Sequence, residues 1–314
     1  QETTIDTLNQ TVQEQQESIN QLNEKIDAIT KILEELTNKE TTLTIDEIED
    51  ARASTPITIS GKLVDRAGKL IPDQTITLTV NGEDKTVTTA NGKFEYTATF
   101  TTGEQTVTAN YAGTANYDAS NATITFNVEK ADCVVTIDEI TPVKFGENVT
   151  IIGTFMNVNG KAIANSNVKV QINGQVYYAK TNSKGIWTLS AKVTKAGENT
   201  VTAAYGGSAN YNSYSTDATF TADKQDLDIT VDDVSFTENN FTLSGVFKDK
   251  TGKVVKNTKV RVYVNGKNEY VMSDDSGKFT YSTAVTKNTV TYYVAYGGSA
   301  SYNAFTGAKT TISA

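Results

Sequence analysis

The sequence predicts a mostly β chain: three tandem two-sheet sandwiches behind one N-terminal α-helical coiled coil. Three observations lead there. Apolar residues among the first 39 positions recur with a seven-residue period. Beyond them, landmarks recur roughly every 92 residues, as in Gly61, Gly153 and Gly245. Within each repeat apolar residues alternate with a period of two, the signature of half-buried strands.

With Ile5 as position a, the a positions are Ile5, Val12, Ile19, Ile26 and Leu33, and the d positions are Leu8, Gln15, Leu22, Ile29 and Leu36. Nine of these ten are aliphatic, Gln15 is the exception, and no Gly or Pro interrupts the stretch. Five heptads in register are a coiled-coil seam rather than the wider stripe of a helix packed on its own domain. Ile at a with Leu at d favours two strands, while Ile at both Ile26 and Ile29 shifts toward three. Gln15 can be satisfied by its own copies around a three-fold axis. The e and g positions are mostly Thr, Asn and Gln, so charge does not select a foreign partner. The expectation is a parallel homotrimer, with a dimer second, formed by residues 1–41.

The rest divides into repeats at 42–130, 131–223 and 224–314. Asn-Gly turns fall at Asn81-Gly82, Asn173-Gly174 and Asn265-Gly266, and a second turn recurs at Asn91-Gly92, Lys184-Gly185 and Ser276-Gly277. A third landmark reads Tyr-Ala-Gly-Thr-Ala-Asn-Tyr at 111–117, then Tyr-Gly-Gly-Ser-Ala-Asn-Tyr at 205–211 and Tyr-Gly-Gly-Ser-Ala-Ser-Tyr at 296–302. Independent landmarks sharing one period mark an internal repeat. Ile76, Leu78 and Val80 alternate with Thr before the first Asn-Gly turn, as do Val168, Val170, Ile172 and Val260, Val262, Val264 before theirs. Such a run ending at Asn-Gly is a hairpin signal. Openings at Leu43–Ile45, Val135–Ile137 and Ile229–Val231 bring each repeat to about seven short strands, which is a sandwich of immunoglobulin type. Each repeat has apolar faces of its own, so each is expected to fold alone.

Composition removes whole classes of function. There is no His and one Cys, Cys133. No Ser-His-Asp or Cys-His arrangement can be built, no His-ligated metal held and no disulfide closed within the chain. No catalytic residue, metal or cofactor is expected, and the protein is read as not an enzyme. A net charge of −9 argues against nucleic acid. That charge runs from −6 over 1–41 and −5 over 42–130 through zero to +2 over 224–314. No run of 18 apolar residues exists, so no membrane span is expected. The chain begins at Gln1 with no signal-like segment, which fits either a removed signal or a piece of something longer.

The block Tyr-x-Gly-x-x-x-Tyr, with Val-Thr-Ala before it and a Ser/Thr-rich last strand after it, resembles the bacterial and archaeal Ig-like repeats of large surface adhesins. The Asn-, Lys-, Tyr- and Thr-rich wording is similar to adhesin-like proteins of methanogenic archaea. The resemblance covers about 270 residues and excludes the helix. It departs where the family often has Asp after the motif glycine, since Thr114, Ser208 and Ser299 stand here. It implies a surface-displayed stalk or adhesive array at an extracellular, cell-surface or virion-surface location. A virion fibre for host attachment and an accessory region of a secreted wall-acting enzyme remain alternatives.

Candidate sites divide between sharp and bland readings. The motif tyrosines Tyr111/Tyr117, Tyr205/Tyr211 and Tyr296/Tyr302 suit core and turn packing better than sugar stacking, because they recur in every repeat. The acid pairs Asp46-Glu47, Asp138-Glu139 and Asp232-Asp233 could hold Ca²⁺ at junctions, yet no Asp-x-Asp-x-Asp-Gly loop appears, and edge charges that discourage sheet pairing are the simpler reading. Asp274-Asp275-Ser276-Gly277 reads as a turn. Asn9, Asn121, Asn148 and Asn240 lie in Asn-x-Ser/Thr sequons. Lys248, Lys250, Lys253, Lys256, Lys259 and Arg261 form a basic stretch that could meet an anionic cell-surface polymer or glycan, against the plainer reading of a solvated strand edge. The expected partners are therefore copies of this chain through the seam and, through the basic stretch, a surface polymer.

Overall fold

A computed structural model describes residues 1–37 and 39–313. Strands hold 54% of the chain and helix 12%, so it is mostly β with one N-terminal helix. Two compact units emerge. The first comprises Gln1–Ala131 with Ala209–Tyr211, and the second the remaining described residues.

In the first unit, α1 (Glu2–Thr37) precedes β1 (Thr41–Ile45), β2 (Ile57–Asp65), β3 (Thr75–Val80), β4 (Glu83–Thr88), β5 (Lys93–Ala98), β6 (Gly103–Tyr111) and β7 (Ser120–Val128). One sheet runs β1-β2-β5 and the other β4-β3-β6-β7. Their inner faces share one core, in which Leu43, Ile59 and Phe94 of the first sheet meet Ile76, Leu78, Val107 and Tyr111 of the second. The period of two in the sequence is thus burial alternation, inward Ile and Leu against outward Thr.

The second unit holds two further pairs of sheets. One uses β8 (Cys133–Val135), β9 (Val143–Lys144), β10 (Asn148–Asn157), β11 (Asn167–Ile172), β12 (Gln175–Lys180), β13 (Ile186–Lys192), β14 (Gly197–Tyr205) and β15 (Tyr214–Asp223). Its sheets run β13-β10-β8 and β12-β11-β14-β15-β9. The other uses β16 (Leu227–Thr237), β17 (Asn240–Asp249), β18 (Lys259–Val264), β19 (Lys267–Met272), β20 (Lys278–Ala284), β21 (Thr289–Tyr296), β22 (Phe305–Thr306) and β23 (Thr310–Ser313). Its sheets run β16-β17-β20 and β19-β18-β21-β22, with β23 also on β21.

The recurring landmarks have physical causes. Asn81-Gly82, Asn173-Gly174 and Asn265-Gly266 close two-residue hairpins in which both residues have positive φ, 52° and 78° in the first. That is the I′ geometry Asn-Gly favours. Gly61, Gly153 and Gly245 lie opposite Phe94, Trp187 and Phe279. A Cβ on Gly153 would sit 1.9 Å from the Thr136 carbonyl oxygen and 2.5 Å from the Trp187 ring, so the aromatic packs where a side chain would be. Buried hydroxyls at Thr89, Thr181 and Ser273 tie the sheets at the same step, each donating to a carbonyl, those of Ile71, Ile163 and Val255.

Two departures from regular repetition stand out. β9 pairs parallel with β15, whereas the corresponding chain in the last pair continues β16 along β17 past a bulge between Val231 and Asp233. Within the second unit the two pairs of sheets are also joined rather than strung. Gln225, 1% exposed, donates to the Phe145 carbonyl. Lys144 binds Asp226, and Phe145 meets Tyr302 edge to face at 5.4 Å. These contacts form a junction between the two pairs of sheets. Asp226 is held below the usual carboxylate range by Lys144 and then by Asn303.

Candidate functional site

Among the described residues no helix is long and apolar enough to cross a membrane. The helix α1 is long without being packed, since none of its residues is buried. Its 36 residues rise about 54 Å. Ile5, Leu8, Val12, Ile19, Leu22, Ile26, Ile29, Leu33 and Leu36 are 49–67% exposed, a continuous apolar stripe. Gln15 interrupts it, and Ile32, outside the heptad reading at a g position, widens it at 55% exposure. Thr7, Thr11, Ser18 and Thr37 turn their hydroxyls back onto the carbonyl four residues earlier, which satisfies them along the helix itself.

The motif tyrosines pack. Tyr111 is buried and donates to Gln74 Oε1 at 2.8 Å. Tyr205 lies 4.5 Å from the Phe155 ring and Tyr296 5.2 Å from Phe247. Tyr117 and Tyr302 pack against the cores of their own sheet pairs, and Tyr211 is half-buried. Burial, then the nearby Asp249 carboxylate, pushes the Tyr302 hydroxyl up to about 12.

The acid pairs separate by role. Asp46 accepts from Ser60 at 2.6 Å and Asp232 from Thr230 at 2.8 Å. Asp138 and Glu139 line an open groove of about 440 Å³ with Thr141 and Val143. Asp232 and Asp233 line one of about 350 Å³ beside the bulge. Among the described residues no three Asp, Glu, His or Cys side chains converge as metal ligands would. Asp274 caps its own turn, accepting from Ser276 Oγ and from the Ser276 and Lys278 amides. Cys133 is buried, its thiol donating to the Asn212 carbonyl; burial and then Asp132 push it up. The sequon residues Asn9, Asn121, Asn148 and Asn240 are all exposed.

The basic stretch is divided by the fold. Lys248 lies on β17 in one sheet, while Lys259 and Arg261 lie on β18 in the other. Lys250 pairs with Asp228 at 3.1 Å and Lys256 with Asp275 at 3.8 Å, both exposed pairs worth little. Lys253 is exposed in the turn after β17. The six do not form one surface.

One face the sequence reading passed over lies on the outer side of β19-β18-β21. Cross-strand rows place Tyr270 and Ala295 beside Arg261, and Asn268 and Tyr293 beside Tyr263. The Tyr263 and Tyr293 rings stack with centroids 4.6 Å apart and planes 17° from parallel. Tyr270 is 62% exposed, and Arg261 Nε is covered with no hydrogen-bond partner. Outward positions on these three strands carry Lys259 and Arg261 but no Asp or Glu. The available signal was the alternation itself: Tyr263 sits between inward Val262 and Val264, an outward position that is Thr79 in the first repeat.

Solved structures similar to the chain include a 1.5-MDa bacterial ice-binding adhesin, at 16% identity and TM-score 0.30, covering 87% of this chain and 96% of that one. A Ca²⁺-stabilised adhesin with which an Antarctic bacterium binds ice matches at 18% identity and TM-score 0.27, over 86% and 72% of the two chains. The fibronectin(III)-like modules of Clostridium thermocellum CbhA match at 16% and 0.26, over 58% and 94%. A search of the curated proteins finds no match. Residues 43–129 match the family model described as a bacterial Ig-like domain, group 3.

Proposed function

We propose that this chain is a non-catalytic, extracellular structural and adhesive protein in which α1 self-associates, as a parallel homotrimer, and presents three Ig-like domains at 42–130, 131–223 and 224–314. The mechanism is physical: the helix sets the copy number, the domains set reach, and weak contacts multiply through joint presentation. One observation carries the reading. A 36-residue helix keeps all nine aliphatic seam residues exposed at heptad spacing and buries none of its own residues. A stripe of that length is covered by copies of itself, because its polar flanks carry no charge code for another partner. The match of residues 43–129 to a bacterial Ig-like domain model supports surface display.

Light scattering after size exclusion tests it. The full chain is expected at about three times its 33.9 kDa mass. A Leu22→Asp, Ile26→Asp double variant is expected at the monomer mass with its strand content unchanged. A monomeric wild type at micromolar concentration overturns the assembly reading.

A further inference from the structure

We infer that the outer face of β19-β18-β21 is a binding face for acidic polysaccharide, a pyranose chain bearing carboxylates. The inference rests on the adhesive reading above and gives it a ligand class. Three features converge on that chemistry. The half-buried, mutually stacked Tyr263 and Tyr293 rings and the exposed Tyr270 place aromatic side chains on the outer side of this sheet. An aromatic face carries partial negative charge and receives the electropositive axial C–H groups of a sugar ring. Arg261 stands between Tyr270 and the Tyr263–Tyr293 rows, and a guanidinium is the planar partner that matches a carboxylate.

Charge supplies the second argument. In a chain of net charge −9, the outward positions of these three strands hold Lys259 and Arg261 and no acid. An anionic ligand meets attraction here and repulsion over residues 1–41 and 42–130, which carry −6 and −5.

The third argument is the contrast with the corresponding face of the first sheet pair. There the register pairs Thr77 with Thr86 and Asn110, and Thr79 with Asp84 and Thr108. Threonine makes an adequate outward strand residue. The same strand arrangement therefore forms with threonine at these places, and tyrosine and arginine are not required by it. The second sheet pair is intermediate, with Lys169, Gln171 and a 68%-exposed Tyr178.

The test titrates the full chain by calorimetry with an oligogalacturonate and with its neutral methyl ester. The acid form is expected to bind, more weakly as salt rises, and the ester at least about tenfold more weakly. Tyr263→Thr with Tyr293→Thr copies the first sheet pair and is expected to lose at least about tenfold in affinity for the acid. Arg261→Gln, which leaves the aromatic rings in place, is expected to reduce binding of the acid and leave that of the ester unchanged. Three results overturn the proposal: no binding of either oligomer, equal binding of acid and ester, or variants that bind the acid as the wild type does. If the tyrosine variant instead changes the chain's assembly mass while sugar binding is absent, the face belongs to a second copy. Mass reports assembly and calorimetry reports binding, so either reading can fail without the other.

Discussion

The outward residues of β3, β4 and β6 and those of β18, β19 and β21 occupy corresponding places in one strand arrangement, yet their chemistry has diverged. Thr77, Thr79, Thr86 and Thr108 of the first set stand where the second has Arg261, Tyr263, Tyr270 and Tyr293. Behind them the inward residues barely differ: Ile76, Leu78 and Val80 against Val260, Val262 and Val264, all at most 5% exposed. A close-packed interior penalises every change of volume, whereas a solvated strand face accepts Thr or Tyr at little cost. Inner faces therefore report the fold, and differences between outer faces report what each part of the chain meets.

The largest effect should come from breaking an inner face. Trp187, 0% exposed, fills the place that Phe94 and Phe279 fill elsewhere. Trp187→Ala should cost about 3–5 kcal/mol, the usual loss for a large buried aromatic. Gln225, Phe145 and Tyr302 tie the two sheet pairs of the second unit, so scanning calorimetry should show both weakened while residues 43–129 keep their own transition. A fall confined to the sheets around Trp187 would mean that the junction makes contact without transmitting stability.

A smaller effect lies at that junction and depends on pH. The Tyr302 hydroxyl is raised from its ordinary 10 to about 12, chiefly by burial and next by Asp249. A group whose pKa is higher folded than unfolded contributes stability that is whole below the unfolded value and lost as pH passes the folded one. The second unit should accordingly lose melting temperature between about pH 10 and pH 12, and Tyr302→Phe should flatten that loss. Melts across this window check it, with the tyrosinate difference spectrum identifying the residue. Equal slopes in both proteins would assign the alkaline loss to other tyrosines.

Much of this architecture was legible because local chemistry set it. Asn-Gly forces the hairpins, a missing side chain at Gly61, Gly153 and Gly245 admits the aromatics, and alternation marks the inward residues. The parallel pairing of β9 with β15 was not legible, since a two-residue strand has no period to read. Nor was the division of the basic stretch, because proximity in sequence hides that β17 and β18 belong to different sheets. The tyrosine face escaped notice for a related reason. Tyr292 and Tyr293 are adjacent, and only the register tells that Tyr292 faces the core while Tyr293 stacks on Tyr263 outside. The α1 stripe was visible from spacing alone, although Ile32 lies beyond the strict heptad.

The smallest effect on stability, and the sharpest use of the comparison, comes from moving one outer face onto the other. Thr77→Arg, Thr79→Tyr, Thr86→Tyr and Thr108→Tyr would write the later face onto the first sheet pair. Asp84 needs changing to Asn as well, because it accepts from Thr79 at 2.7 Å on that same face and its charge would repel a carboxylate. Asn268 already holds the corresponding place opposite Tyr263. Each change touches an outward strand position, exposed at Asp84 and Thr86 and half-buried at Thr77, Thr79 and Thr108, so each should shift stability by no more than about 1 kcal/mol. If outer chemistry is free of the fold, the five together should leave the melting transition of residues 43–129 nearly unmoved. If those side chains suffice for recognition, the same protein should gain a second equivalent of oligogalacturonate per chain. A large loss of stability would show that the threonine face supports the first sheet pair after all, and the division between inner and outer residues would have to be redrawn there.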